Sequence, residues 1–332
     1  MKILVVAPNW IGDIVMAQTL FSHLISRYGD DTIIDIIAPK WSGLVASRMR
    51  EVRRIFVLDV KHGELGLKKR YRLGVKLRDE HYDRAIVMPI TLKSALVPFF
   101  AKVAIRSGFV GEMRFGLIND LRKLDKQKMP RMIDRYLSLD NAKGCVQNPS
   151  LLVSADNQIK LIKRHNLNTE KQIIAFFVGA EYGEAKRWRG FKDLAKLLAK
   201  NNYQIWVIGS EKERKLGDEI VESNEAAINL CGQTTIIEAI DLIALAKTAI
   251  TNDSGLMHIA AALDISIVAI YGSSTPSYTP PLTDKKHIVS LNLPCSPCFK
   301  KTCLLGHTNC LNHITPEMVY QCITNIAVEH TA

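Results

Sequence analysis

No stretch of the 332 residues reaches the roughly 18 uninterrupted apolar positions that a membrane-spanning helix needs. The opening M-K-I-L-V-V-A-P-N-W-I-G-D meets Pro8 and Asp13 too early to make the apolar core of a signal peptide, so a cytoplasmic location is expected. Aromatic residues are scarce at 7%, and no helical stretch interleaves them with a basic stripe, which disfavours a nucleic-acid-binding surface. The G-x-G-x-x-G fingerprint of dinucleotide folds is missing, which weakens a dehydrogenase reading. There is neither an internal repeat nor a low-complexity tract. Cysteine is sparse and odd in number at seven, and four of the seven fall between residues 295 and 310. That distribution does not suit a disulfide framework spread over a secreted fold, and a reducing compartment fits it better.

What is present is a core-forming composition, 47% hydrophobic and 23% charged. At about 150 residues per domain, two domains are expected. Charge is unevenly divided. Residues 1–150 carry 26 Lys+Arg against 15 Asp+Glu, whereas residues 151–332 carry 18 of each, so the whole formal charge of +11 lies in the first part. A one-signed surface attracts anions, whether nucleic acid, acidic headgroups or phosphorylated sugars. Short β-branched runs at 2–7, 32–37, 54–58 and 84–88 alternate with amphipathic stretches and read as buried parallel strands. The pattern restarts at 173–178 and continues through 204–208, 227–230, 248–251 and 265–270. Two βαβ series imply an α/β fold of two doubly wound, Rossmann-like domains, at 1–160 and 161–332, facing across a cleft. A C-terminal helix returning to the first domain is a further expectation. The Pro-rich segment 273–282 reads as one long loop.

In such sheets ligands bind beyond the carboxyl ends of the strands, so the segments just after strands carry most information. After the first strand comes A-P-N-W-I-G-D, which puts Asp13 at a helix start, either as a dipole-stabilised first-turn residue or as a general base facing bound substrate. After the strand at 173–178, V-G-A-E-Y-G-E-A-K-R-W looks like an anion-binding loop, with Lys186 as a point charge and Arg187 as a possible fork. T-N-D-S-G-L-M-H leaves a strand and enters a helix, where free N–H groups at Ser254, Gly255 and Leu256 suit a phosphate and His258 sits one turn in. Cys295, Cys298, Cys303 and Cys310, with His307 and His313 nearby, have the makings of a structural zinc site or of a set of free thiols.

These residues, with K-S-A-L-V-P-F-F (93–100) and R-S-G-F-V-G-E-M-R-F-G-L-I-N-D (106–120), give a sequence that resembles the lipopolysaccharide heptosyltransferases, the type II members above all. The resemblance covers nearly the whole chain. It implies an inverting, metal-independent GT-B glycosyltransferase with no cofactor, using ADP-heptose as donor and the inner-core heptose of lipopolysaccharide as acceptor. By resemblance, Asp13 is the base. Lys186, Glu213, Asp253, Ser254, Gly255 and His258 hold the donor, with Glu211 competing with Glu213 for the ribose position. A Thr-Thr pair found ahead of the lysine in other family members is replaced here by Ala180 and Glu181. Lys93, Arg106 and Arg114 are the expected acceptor contacts, because they fall after strands of the basic domain. The acceptor is anchored in lipid A, so peripheral contact with the inner membrane is expected, with no nucleic acid partner. The competing readings are heptosyltransferase I, which acts on Kdo, and a basic nucleic-acid-binding protein.

Overall fold

The computed structural model describes residues 1–60, 63–142, 147–201 and 203–329, with side chains through Ile326. The chain forms two compact units, Met1–Leu152 and Val153–Ala332.

The first unit is built on a parallel six-stranded sheet. Its strands are β1 (Lys2–Val6), β2 (Ile33–Ala38), β3 (Val52–Val57), β4 (Arg84–Val87), β5 (Ile105–Phe109) and β6 (Asp120–Arg122), in the order β3-β2-β1-β4-β5-β6. The central strands read as continuous apolar runs because helices cover both faces of a parallel sheet. Ile3, Leu4, Val5, Ile34, Ile36, Ile86 and Val87 are fully buried. The helices are α1 (Ile11–Tyr28), α2 (Lys40–Ala46), α3 (Leu67–Lys76), α4 (Leu96–Phe100) and α5 (Met132–Ser138). One buried carboxylate interrupts the apolar run of β2. Asp35 accepts from Arg53 Nε at 2.9 Å and from the Tyr82 hydroxyl at 2.6 Å, and these bonds hold its pKa down against the upward push of burial.

The second unit repeats the plan. Its strands β7 (Gln172–Phe177), β8 (Tyr203–Val207), β9 (Ala227–Asn229), β10 (Thr248–Asn252), β11 (Ser266–Ile270) and β12 (Lys286–Val289) pair in parallel in the order β12-β11-β10-β7-β8-β9. The helices are α6 (Ala155–His165), α7 (Phe191–Leu198), α8 (Arg214–Val221), α9 (Ile236–Ile243), α10 (Gly255–Ala262), α11 (Asn309–Asn312) and α12 (Pro316–Glu329). In each sheet the chain starts near the middle and later reverses direction along the sheet. The reversal creates a switch point between β1 and β4 in the first unit and between β7 and β10 in the second.

The two units divide between Leu152 and Val153. A boundary after residue 160 would cut α6, which belongs to the second unit because the Asp241 carboxylate of α9 accepts from Ser154 N at 2.9 Å and Asn157 Nδ2 at 2.6 Å. The C-terminal helix α12 packs within its own unit, against α7, β11 and β12, where Val319, Ile323 and Ile326 enter the core. Strands β5, β6 and β12 were not among the expected ones.

Candidate active site

The loops that leave β7 and β10 meet at the switch point of the second unit and carry Lys186, Asp253 and Ser254, whereas Glu213 follows β8. Lys186 ends a short 3-10 turn in the loop after β7, and Asp253 follows β10 directly. Their side chains form an ion pair, with Lys186 16% and Asp253 5% exposed. His258, one turn into α10, is buried beside this pair. Burial brings its pKa from 6.5 to about 4, so the imidazole is neutral near pH 7. Ser254 is the N-cap of α10, and its hydroxyl makes no capping bond, which leaves the first-turn N–H groups of Gly255 and Leu256 without a side-chain acceptor.

A residue that the sequence reading did not single out holds the two loops in register. Asn252, fully buried at the end of β10, accepts from Trp188 N at 3.0 Å and donates to Val178 O at 2.9 Å. The amide thereby ties the Lys186 loop to the Asp253 turn. Its place in T-N-D-S-G was visible in the sequence, but its partners, more than sixty residues away, were not.

Glu213 and Glu211 are separated by their surroundings. Glu213 is 5% exposed, accepts from Ser210 N at 2.8 Å and Ser210 Oγ at 2.6 Å, and lies against Gly179, where a Cβ would stand 2.8 Å from its carboxyl carbon. Glu211 points to solvent and pairs with Arg214 at 2.6 Å. Of the two, Glu213 adjoins the loop after β7. Arg187 stands 4.0 Å from Glu213. Ala180 is buried, and Glu181 pairs at the surface with Lys212 at 2.7 Å.

In the first unit Asp13 occupies the first turn of α1, at the carboxyl edge of β1 and beside the switch point. Two half-exposed tryptophans flank this turn. Trp10 is the N-cap of α1, and Trp41 donates its indole N–H to Asn9 O at 2.7 Å. The expected acceptor contacts do not converge. Lys93 follows β4 on the same edge as Asp13, with its ammonium 3.4 Å from Glu64 O. Arg106 sits at the amino end of β5, the opposite edge, and donates to Leu117 O at 2.7 Å and Gly116 O at 3.1 Å. Arg114 is 1% exposed and donates to Phe109 O at 3.0 Å and Pro89 O at 2.6 Å. Both guanidiniums are struts for main-chain carbonyls.

Among the described residues no group of three or more His, Cys, Asp or Glu side chains is placed to hold a metal ion. Cys298 is exposed, whereas burial and then the neighbouring thiols push the pKa of Cys310 up. Cys303 is held lower by main-chain N–H groups, Thr308 first among them.

Residues 70–309 match glycosyltransferase family 9 (heptosyltransferase). The chain belongs to this family. Lipopolysaccharide heptosyltransferase 2 of Escherichia coli K12 is 40% identical over the full length of both chains, and its Salmonella typhimurium counterpart is 41% identical over 97% of each. The solved structure of E. coli ADP-heptose lps heptosyltransferase II superposes with a TM-score of 0.89, at 38% identity and complete coverage of both chains. The protein is thus a glycosyltransferase of the heptosyltransferase family with the GT-B fold, and the nucleic-acid-binding alternative is set aside. Among the described residues no helix is long and apolar enough to cross a membrane.

Proposed function

We propose that the chain transfers L-glycero-D-manno-heptose from ADP-heptose to the inner-core heptose of lipopolysaccharide in one inverting displacement. The observation that carries this reading is the Lys186, Asp253 and His258 cluster at the β7/β10 switch point, with uncapped helix N–H groups beside it. Heptosyltransferase I, with Kdo as acceptor, is less favoured because the full-length relatives at about this identity are type 2 enzymes.

Departure of a sugar diphosphate leaves an oxocarbenium-like carbon and a growing negative charge on phosphate. Lys186 and the start of α10 meet that charge, and preorganised donors of this kind are worth about 3–4 kcal/mol each when removed. Asp253 holds the ammonium in place until the diphosphate arrives. Neutral His258 contributes ring N–H and lone pair without competing for the anion. Glu213 lies where a ribose hydroxyl can reach its second carboxyl oxygen. On the acceptor side Asp13 takes the attacking hydroxyl's proton, a contribution of roughly 100- to 10,000-fold. Trp10 and Trp41 offer indole faces to the acceptor sugar beside it. The basic first part of the chain, Lys93 included, suits an acceptor bearing phosphates and acidic sugars, and it suits peripheral contact with an anionic leaflet from the cytoplasmic side. Cations and N–H groups of the chain meet the leaving charge, so no divalent ion or cofactor is assigned to the step.

The test is to incubate the protein with ADP-heptose and core acceptors ending in heptose or in Kdo, with and without EDTA, following ADP release and product mass. Heptose-terminated acceptor is expected to be consumed at the same rate in EDTA. Turnover only on the Kdo-terminated acceptor, or turnover abolished by chelation, would overturn the proposal.

A further inference from the structure

The cysteine-rich segment does more than cover the core. Phe299 N donates to Ser273 O at 2.7 Å, and Ser296 Oγ donates to Gly272 O, so the segment is bonded to the turn after β11. On its other side Tyr182 OH donates to Phe299 O at 2.8 Å and Ala185 N donates to Lys301 O at 3.0 Å, which bonds it to the loop that carries Lys186. The fit there is close. Gly183 adopts φ +148°, and a Cβ on it would stand 2.5 Å from Lys301 O. Residues 296–301 are therefore a strap across two of the loops at the carboxyl edge of the second sheet.

The strap carries charge to the same place. The Lys301 ammonium stands 5.9 Å from the centre of the Tyr182 ring, and the Lys186 ammonium stands 5.0 Å from the same ring. Lys186 is neutralised by Asp253, whereas Lys301 is exposed and pairs with no carboxylate among the described residues. The turn held by the strap also buries two hydroxyls, Ser273 Oγ and Ser274 Oγ, that lack any hydrogen-bond partner. Surplus cation and unsatisfied hydroxyls on adjoining loops are what a polyanionic, oxygen-rich ligand would satisfy.

We infer that Lys301 supplies a second cation to the diphosphate of the nucleotide-sugar donor, presented by the strap. This rests on the donor-site reading above. The chain's own carboxylate, Asp253, cancels the charge of Lys186, so a dianionic leaving group needs a further positive charge. Lys301 provides it at the loop's outer face.

The experiment is calorimetric titration of the full-length chain with ADP and with adenosine, for wild type, Lys301→Met, Lys301→Arg and the neighbouring Lys300→Met. Methionine keeps the apolar stem and removes only the ammonium. ADP affinity should fall about tenfold in Lys301→Met, one charge-assisted hydrogen bond's worth, while Lys301→Arg and Lys300→Met stay within about twofold of wild type. Adenosine, which has no phosphate, should bind all four alike. An ADP affinity unchanged in Lys301→Met, or an equal loss for adenosine, would overturn the inference while leaving the donor site standing. A wild-type chain that binds no ADP would remove the donor-site reading itself.

Discussion

At the scale of single residues, the sequence shows which side chains are present and the tertiary surroundings decide what they do. Arg106 lies within a strand of the basic half and Arg114 follows one, and both guanidiniums donate to main-chain carbonyls. Buried carbonyls need donors, and a guanidinium with five N–H groups is an efficient one; no local pattern announces that demand. Glu213 and Glu211 are likewise two positions apart in sequence and opposite in environment. His258 gives a prediction with a definite sign. Its pKa is lowered from 6.5 to about 4 by burial, so protonation favours the unfolded chain. Its contribution to stability is intact above pH 6.5 and is lost as the pH falls toward 4. Between pH 7 and pH 5 this amounts to about 2 kcal/mol. Urea denaturation of wild type and His258→Gln at both pH values should show the wild type losing that much more than the variant. Equal losses would mean that the imidazole titrates normally in the folded protein.

At the scale of elements, the long strands at the sheet centres were legible because both their faces are buried and nearly all their residues are apolar. β5, β6 and β12 were not. I-R-S-G-F, D-L-R and K-H-I-V mix polar with apolar residues, since β6 and β12 are edge strands and the side chains of Arg106 and Ser107 in β5 are held by hydrogen bonds. Helix starts after strands were also readable, which is why Asp13 and the D-S-G turn could be placed. What joined those elements was not readable. Asn252 links β10 to the loop after β7 through two buried main-chain groups. Asn252→Ala would leave both unpaired, and we expect a loss of about 3 kcal/mol together with weaker ADP binding as Lys186 loses its register. Chemical denaturation giving a loss below about 1 kcal/mol would show that water or a local shift replaces the amide.

At the scale of the whole molecule, the chain duplicates one architecture and divides the labour. One unit holds a carboxylate in the first helical turn after its first strand, in a segment rich in positive charge. The other has a balanced charge and carries the Lys186–Asp253 pair and an uncapped helix start at its switch point. The two series of alternating strands and helices were enough to foresee two doubly wound units, and the joint motifs were enough to foresee the family. In the proposed function Asp13 acts on the acceptor while the second unit holds the donor. The direct measurement is single-turnover heptosyl transfer by Asp13→Asn beside wild type, with ADP affinity determined on the same preparations. The account predicts transfer at least about 100-fold slower with ADP binding unchanged. Transfer at the wild-type rate in Asp13→Asn would contradict it.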